Sequence, residues 1–295
     1  MFRSGFILCA GWLAAQAGAG LAAPLLVEDA LGRSVRLEKP AQRIVPIFSS
    51  NTELVAALGL ADRIVGVEAF TRDPPEVLGK PLIGGRLGFS VDAIVRQSPD
   101  LVVVTPARQA MHQIIEPMSR LHIPVIVLQS RSVREVIGNV RLLGRATGTE
   151  ARAEALAGSF EARLQRVQAR HSQTARPRVV LITGRLGNGM VLIARSDTYT
   201  GDALRLAGAR PALEQTVVPQ VSPEAVIAAD PDVLLFAGTR EHFEELLATP
   251  GWSLLRAVRA QRAYLVSRSE FLIPGPRTFD GIEKLSRLLA AAREH

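Results

Sequence analysis

Beyond the first two dozen residues, short aliphatic, β-branched runs alternate with stretches in which apolar side chains recur every three or four positions. The runs predict strands at 43–48, 63–68, 101–105, 125–128, 179–183, 191–194, 233–237 and 263–266. The periodic stretches predict helices at 51–57, 91–96, 111–121, 133–144, 203–207, 223–228, 241–248 and 279–293. Strand and helix in alternation imply an α/β chain with mostly parallel sheets, because parallel strands need crossovers and helices supply them. One stretch breaks the rhythm. From Thr149 to about Gln173 there is no strand signal and no proline, and Leu156, Phe160, Leu164 and Val167 share a helical face. Thr149 can cap this stretch, and Glu150 and Glu154 at its start and Arg170 and His171 at its end suit the helix dipole. It predicts one helix of about 24 residues, roughly 36 Å long, and its central place suits a rigid strut between two α/β halves.

The halves are related. Ser90–Val104 (SVDAIVRQSPDLVVV) and Ser222–Phe236 (SPEAVIAADPDVLLF) align without a gap and share Ser, Ala, Pro and Asp, with Asp92 opposite Glu224. Each unit encodes a Ser-capped short helix, a Pro-Asp turn and a buried strand. Two related lobes joined by a strut leave a cleft between them, where pockets commonly form.

The amino terminus follows a different logic. Met1-Phe-Arg-Ser precedes an apolar run from Gly5 to Ala15 and small residues through Ala23, the pattern of a cleavable signal peptide over 1–23. That divides the chain into a signal peptide at 1–23, an N-terminal lobe at 24–148, a linking helix at 149–174 and a C-terminal lobe at 175–295. No later apolar segment approaches the length of a membrane span, so the mature protein is expected in the periplasm. The single cysteine, Cys9, falls in the signal, which excludes an internal disulfide, a four-cysteine zinc site and an iron–sulfur cluster.

Charge adds one question. The chain has 35 Lys and Arg against 28 Asp and Glu, net +7, and only Lys39, Lys80 and Lys284 are lysines. Arginine's planar fork suits carboxylates and phosphates. The arginines are dispersed and aromatic residues make up only 5% of the chain, so no nucleic-acid stripe or stacking platform stands out. Gly184-Arg-Leu-Gly-Asn-Gly189 follows a strand, but it precedes another strand instead of a helix, so it predicts a turn and no dinucleotide loop. There is no G-x-S-x-G elbow and no H-E-x-x-H. The histidines at 112, 122, 171, 242 and 295 are too scattered to mark a metal cluster, and Tyr199 and Tyr264 give little support to a tyrosine pair for iron.

Several motifs carry a family resemblance: Arg43-Ile-Val-Pro with Ser50-Asn-Thr-Glu-Leu54; Ala57-Leu-Gly-Leu-Ala-Asp-Arg-Ile-Val-Gly-Val67; the two repeat units; Tyr199-Thr-Gly-Asp-Ala-Leu204 with Ala207-Gly-Ala; and Pro274-Gly-Pro-Arg277. In their order and spacing the chain resembles the periplasmic substrate-binding proteins of ABC importers in the iron-siderophore and vitamin B12 class. The resemblance implies two Rossmann-like lobes with mostly parallel sheets joined by one long interdomain helix. It implies a monomer without catalysis or a cofactor of its own, which carries a metal chelate to a permease dimer in the inner membrane. Asp92 and Glu224 match the family's docking positions, where carboxylates meet arginines of the two membrane subunits. Ser50, Asn51, Phe70, Arg72, Arg86, Arg185, Tyr199, Val218 and Phe271 match its pocket positions. Arg72, Arg86 and Arg185 in one cleft favour an anionic chelate such as a ferric siderophore. A cobalamin or heme receptor of the same class is the alternative, and a secreted enzyme on this fold is the weaker one.

Overall fold

The computed structural model describes residues 23–85, 88–105, 111–171, 175–214 and 219–292. The proposed signal peptide up to residue 22, with Cys9, therefore lies outside the described residues, as do Arg86 and Val218.

The N-terminal half is built on three parallel strands, Ile44–Pro46, Leu101–Val104 and Val125–Val127, in that spatial order. Every residue in them is buried, as expected for strands covered on both faces by helices. A small sheet of Val67–Glu68, Leu82–Gly85 and Gly88–Phe89 stands beside them, and a hairpin of Leu25–Glu28 with Ser34–Leu37 precedes them. Neither that hairpin nor the one of Leu82–Gly85 with Gly88–Phe89 is predicted, since runs of two to four residues are too short to stand out as strands.

The C-terminal half follows the same plan. Arg178–Arg185, Val233–Ala237 and Ala263–Val266 run parallel as neighbours, and Val191–Ile193 with Gln220–Val221 extends the sheet antiparallel on one side. The glycine-rich segment is the turn between Arg178–Arg185 and Val191–Ile193, and Gly189 takes the positive φ of 83° that the turn requires.

The internal repeat holds at the level of single hydrogen bonds. The hydroxyls of Ser90 and Ser222 accept from the amides of Ala93 and Ala225, each at 3.2 Å. The short helices Val91–Arg96 and Pro223–Ala229 are followed by residues at the same repeat position with positive φ, Ser98 at 46° and Asp230 at 38°. Asp100 and Asp232 then accept from the amides of Arg43 and Arg178, each at 2.8 Å, tying the entry of each half's central strand to its neighbour.

The linking helix spans Glu150–His171, 22 residues and about 33 Å. The predicted end near Gln173 falls at residues outside the description. Its buried positions are Ala153, Ala157, Phe160, Val167 and His171, with Leu156 and Leu164 partly buried. On one side it packs against the helix Val133–Thr147 so closely that a β-carbon on Gly144 would overlap that of Ala153. On the other side Phe160 stacks on Phe279 of the final helix Arg277–Ala291, with ring centres 3.9 Å apart and planes within 6°. Arg163 pairs with Asp280 at 2.5 Å and Glu283 at 2.8 Å, and His171 Nε2 lies 2.7 Å from Ser286 Oγ.

Candidate functional site

In parallel α/β sheets, ligands gather beyond the carboxyl ends of the strands, where loops leave the sheet. In the N-terminal half the chain leaves the strand Ile44–Pro46 through Phe48, whose φ of 75° and ψ of 140° are unusual for a residue with a side chain. It then enters the helix Ser49–Ala57, and the ring of Phe48 meets that of Phe89 edge to face at 5.4 Å. Both the amide and the hydroxyl of Ser49 donate to Glu68 Oε1, at 2.8 and 3.0 Å. Nearby Phe70 is 52% exposed.

Each residue carried over from the resemblance has a definite place. Ser50 is half-buried in the first turn of that helix. Asn51, only 2% exposed, donates from Nδ2 to Ile47 O at 2.6 Å and Thr105 Oγ1 at 3.2 Å, tying together the ends of two strands. Arg72 is exposed and donates to the carbonyls of Ala69 and Thr71 at 2.9 and 3.0 Å, bracing the loop that carries Phe70. Arg185 stands at the end of the central C-terminal strand and pairs with Glu245 at 2.8 Å. Tyr199 and Phe271 differ from the expectation of cleft-lining rings. They are 6% and 1% exposed and belong to the core, where they can support the cleft but have little surface to offer a ligand. Burial pushes the Tyr199 phenol above its ordinary pKa.

The C-terminal strand ends hold a cavity of about 350 Å³ whose lining includes Arg185, Gly238, His242, Glu245 and Arg268. Arg268 donates to the carbonyls of Thr183 and Ala237, at 3.0 and 3.1 Å, at the ends of two adjacent strands. Sequence reasoning missed Phe48, Phe89, Arg268 and His242. The available signal was position, since each lies near the carboxyl end of a strand or in the small hairpin beside one, and residue type alone is silent there.

The same segment ties the halves together. Beyond Arg268–Phe271 the chain reaches Arg277, which donates to Glu53 Oε1 and Oε2 at 2.6 and 3.0 Å and to Asp73 at 2.7 Å. Glu53 is 6% exposed, and its burial pushes the carboxyl above its ordinary value despite the pull of Arg277. Asp73 follows directly on Phe70–Arg72, so this contact fixes the loop of the aromatic face against the C-terminal half.

Asp92 and Glu224 are both exposed in the first turns of their Ser-capped helices. Hydrogen bonds from its own amide and the Ser222 hydroxyl hold the Glu224 carboxyl below the usual range, keeping it an anion. Among the described residues no group of three or more His, Cys, Asp or Glu could hold a metal ion, and no helix is long and apolar enough to cross a membrane.

Residues 44–268 match the family described as periplasmic binding protein. The chain is similar to the ABC transporter substrate-binding lipoprotein YvrC of Bacillus subtilis, 27% identical over 268 residues, covering 89% of this chain and 84% of that protein. It is also similar to a vitamin B12-binding protein of Vibrio cholerae, 23% identical over 259 residues and covering 86% and 91% of the two chains. A solved periplasmic heme-binding protein from Pseudomonas aeruginosa superposes with a TM-score of 0.74 at 26% identity, over 84% of this chain and 92% of that one. The fold, the strut between related halves and these matches agree: the chain belongs to the periplasmic binding protein family, the substrate-binding components of ABC importers in the iron-chelate and B12 class.

Proposed function

We propose that this protein is exported by its 1–23 signal, captures an anionic metal tetrapyrrole of the heme type between its lobes, and delivers it to an inner-membrane ABC permease. The observation that carries this reading is the contrast between the two sets of strand ends. One bears the rings of Phe48, Phe89 and Phe70, and the other bears Arg185 and Arg268. A flat macrocycle offers a broad apolar face, and its peripheral carboxylates pair well with guanidinium groups. Relatives named for B12 or heme support the same class of cargo.

A ferric siderophore is the second reading, favoured by the arginines expected near the cleft. Of the three arginines behind it, Arg86 lies outside the described residues and Arg72 donates to the carbonyls of its own loop, which leaves Arg185 as the one that lines the strand-end cavity. Asp92 and Glu224 are proposed as the two anchors on the permease, and the protein as a monomer with lobes at 24–148 and 175–295. Absorbance titrations with hemin, cyanocobalamin and a ferric catecholate siderophore decide among the cargoes. Saturable one-to-one uptake is expected for hemin, and tighter binding of the siderophore would overturn the first reading in favour of the second.

A further inference from the structure

We propose that Asp73 is a positioning residue for cargo: held by Arg277 of the C-terminal half, it fixes the Phe70 loop of the N-terminal half and so sets cargo affinity without touching the cargo. The inference rests on the tetrapyrrole reading above, in which the Phe70 ring meets the macrocycle.

Phe70 stands on a short loop that is fastened on both sides. On the amino side the Ala69 amide donates to Gly84 O at 3.0 Å, in the strand that pairs with Gly88–Phe89, and Glu68 Oε1 accepts from Ser49. The loop also closes on itself, through the Thr71 amide to Glu68 O at 3.1 Å and through Arg72 to the carbonyls of Ala69 and Thr71. All of these ties belong to the N-terminal half. On the carboxyl side the tie is Asp73, whose Oδ2 accepts from Arg277 Nη1 at 2.7 Å, a residue 204 positions further along the chain.

Arg277 is a fixed post. Its Nε and Nη2 donate to the two oxygens of the buried Glu53, at 3.0 and 2.6 Å. A guanidinium already held by a two-pronged pair loses little freedom on taking a second carboxylate, so Asp73 meets a partner that does not move. The Asp73 side chain is 43% exposed, so this pair adds little to global stability, and what it governs is where the loop rests. The resting loop also has a reason to move once released. Thr71 is buried, and among the described residues its hydroxyl has no hydrogen-bond partner. Keeping that hydroxyl unpaired carries a cost, and a loosened loop sheds it by turning the hydroxyl to water. A loop that holds its place only part of the time binds cargo more weakly by that fraction.

The test is a double-mutant cycle on the purified full chain: wild type, Phe70→Ala, Asp73→Asn and the two combined, each titrated with hemin by absorbance and unfolded in urea. Asp73→Asn is expected to weaken binding roughly three- to tenfold, with an unfolding midpoint close to that of wild type. Phe70→Ala should weaken binding at least as much. Adding Asp73→Asn to Phe70→Ala should then cost less than about twofold more, because the ring that Asp73 positions is gone. Wild-type affinity in Asp73→Asn, losses that multiply in the double variant, or unchanged affinity in Phe70→Ala would each overturn the positioning role, while hemin uptake by the wild type leaves the tetrapyrrole reading standing. If the wild type takes up no hemin, that reading fails and the positioning role with it.

Discussion

Asp100 and Asp232 show how single side chains hold each lobe. Each takes the amide of the residue at the entry of a neighbouring strand, and Asp100 also takes that of Gln42 at 3.0 Å. Replacing either with Ala gives these exposed or part-buried amides to water and should cost about 0.5–1.5 kcal/mol, measured as a lower urea midpoint. Arg277 is a second such residue. Arg277→Gln strands the buried Glu53 and should cost about 2–3 kcal/mol at neutral pH, less than a fully buried pair because Arg277 keeps some water contact. Burial already raises the Glu53 carboxyl, and removing Arg277 raises it further. A raised carboxyl contributes stability below its unfolded value that is lost as pH rises through the folded value. The deficit of Arg277→Gln against wild type should therefore shrink between pH 8 and pH 5, and a deficit independent of pH would contradict the uncompensated charge. At this scale the capping serines and the Pro-Asp turns are legible in the sequence, because caps and turns act within a few residues. The pairing of Arg277 with Glu53 is not, since the two meet only through the fold.

Among the elements, the linking helix is the most plainly encoded. Its length, caps and apolar face are local properties, and the structure bears out a helix close to the expected limits. Its function as a strut depends on grips at both sides, Gly144 against Ala153 and Phe160 on Phe279. Phe160→Ala removes a buried ring from the second grip and should cost about 3–5 kcal/mol by calorimetry or denaturant unfolding. A loss below about 1 kcal/mol would mean that the final helix is not held by this stack. The short helices Arg256–Arg259 and Arg268–Phe271 escaped the sequence reading, because one turn of helix carries no periodicity. Yet the second of them carries Arg268 to the strand ends.

For the whole molecule, the pseudo-repeat gives two exposed carboxylates at equivalent places on related lobes, a pattern suited to a partner with twofold symmetry. The double replacement Asp92→Ala with Glu224→Ala should leave cargo affinity unchanged and abolish uptake in cells, and normal uptake would sink the docking proposal. Both carboxylates could be picked out from sequence because the repeat keeps its register over fifteen residues. The cleft is different. Ser50, Asn51, Phe70, Arg72 and Arg185 were placed near it by motif, while Tyr199 and Phe271 went to the core. Alternation, capping and periodicity are short-range, so the sequence by itself determined the α/β class, the strut, the repeat and the paired acids. Which rings reach the surface, which arginines are already engaged, and that His242 stands beside Arg185 and Arg268 were decided by tertiary structure alone. Those facts depend on segments far apart in the chain meeting at the carboxyl ends of the sheets in each half, and no local pattern records that meeting.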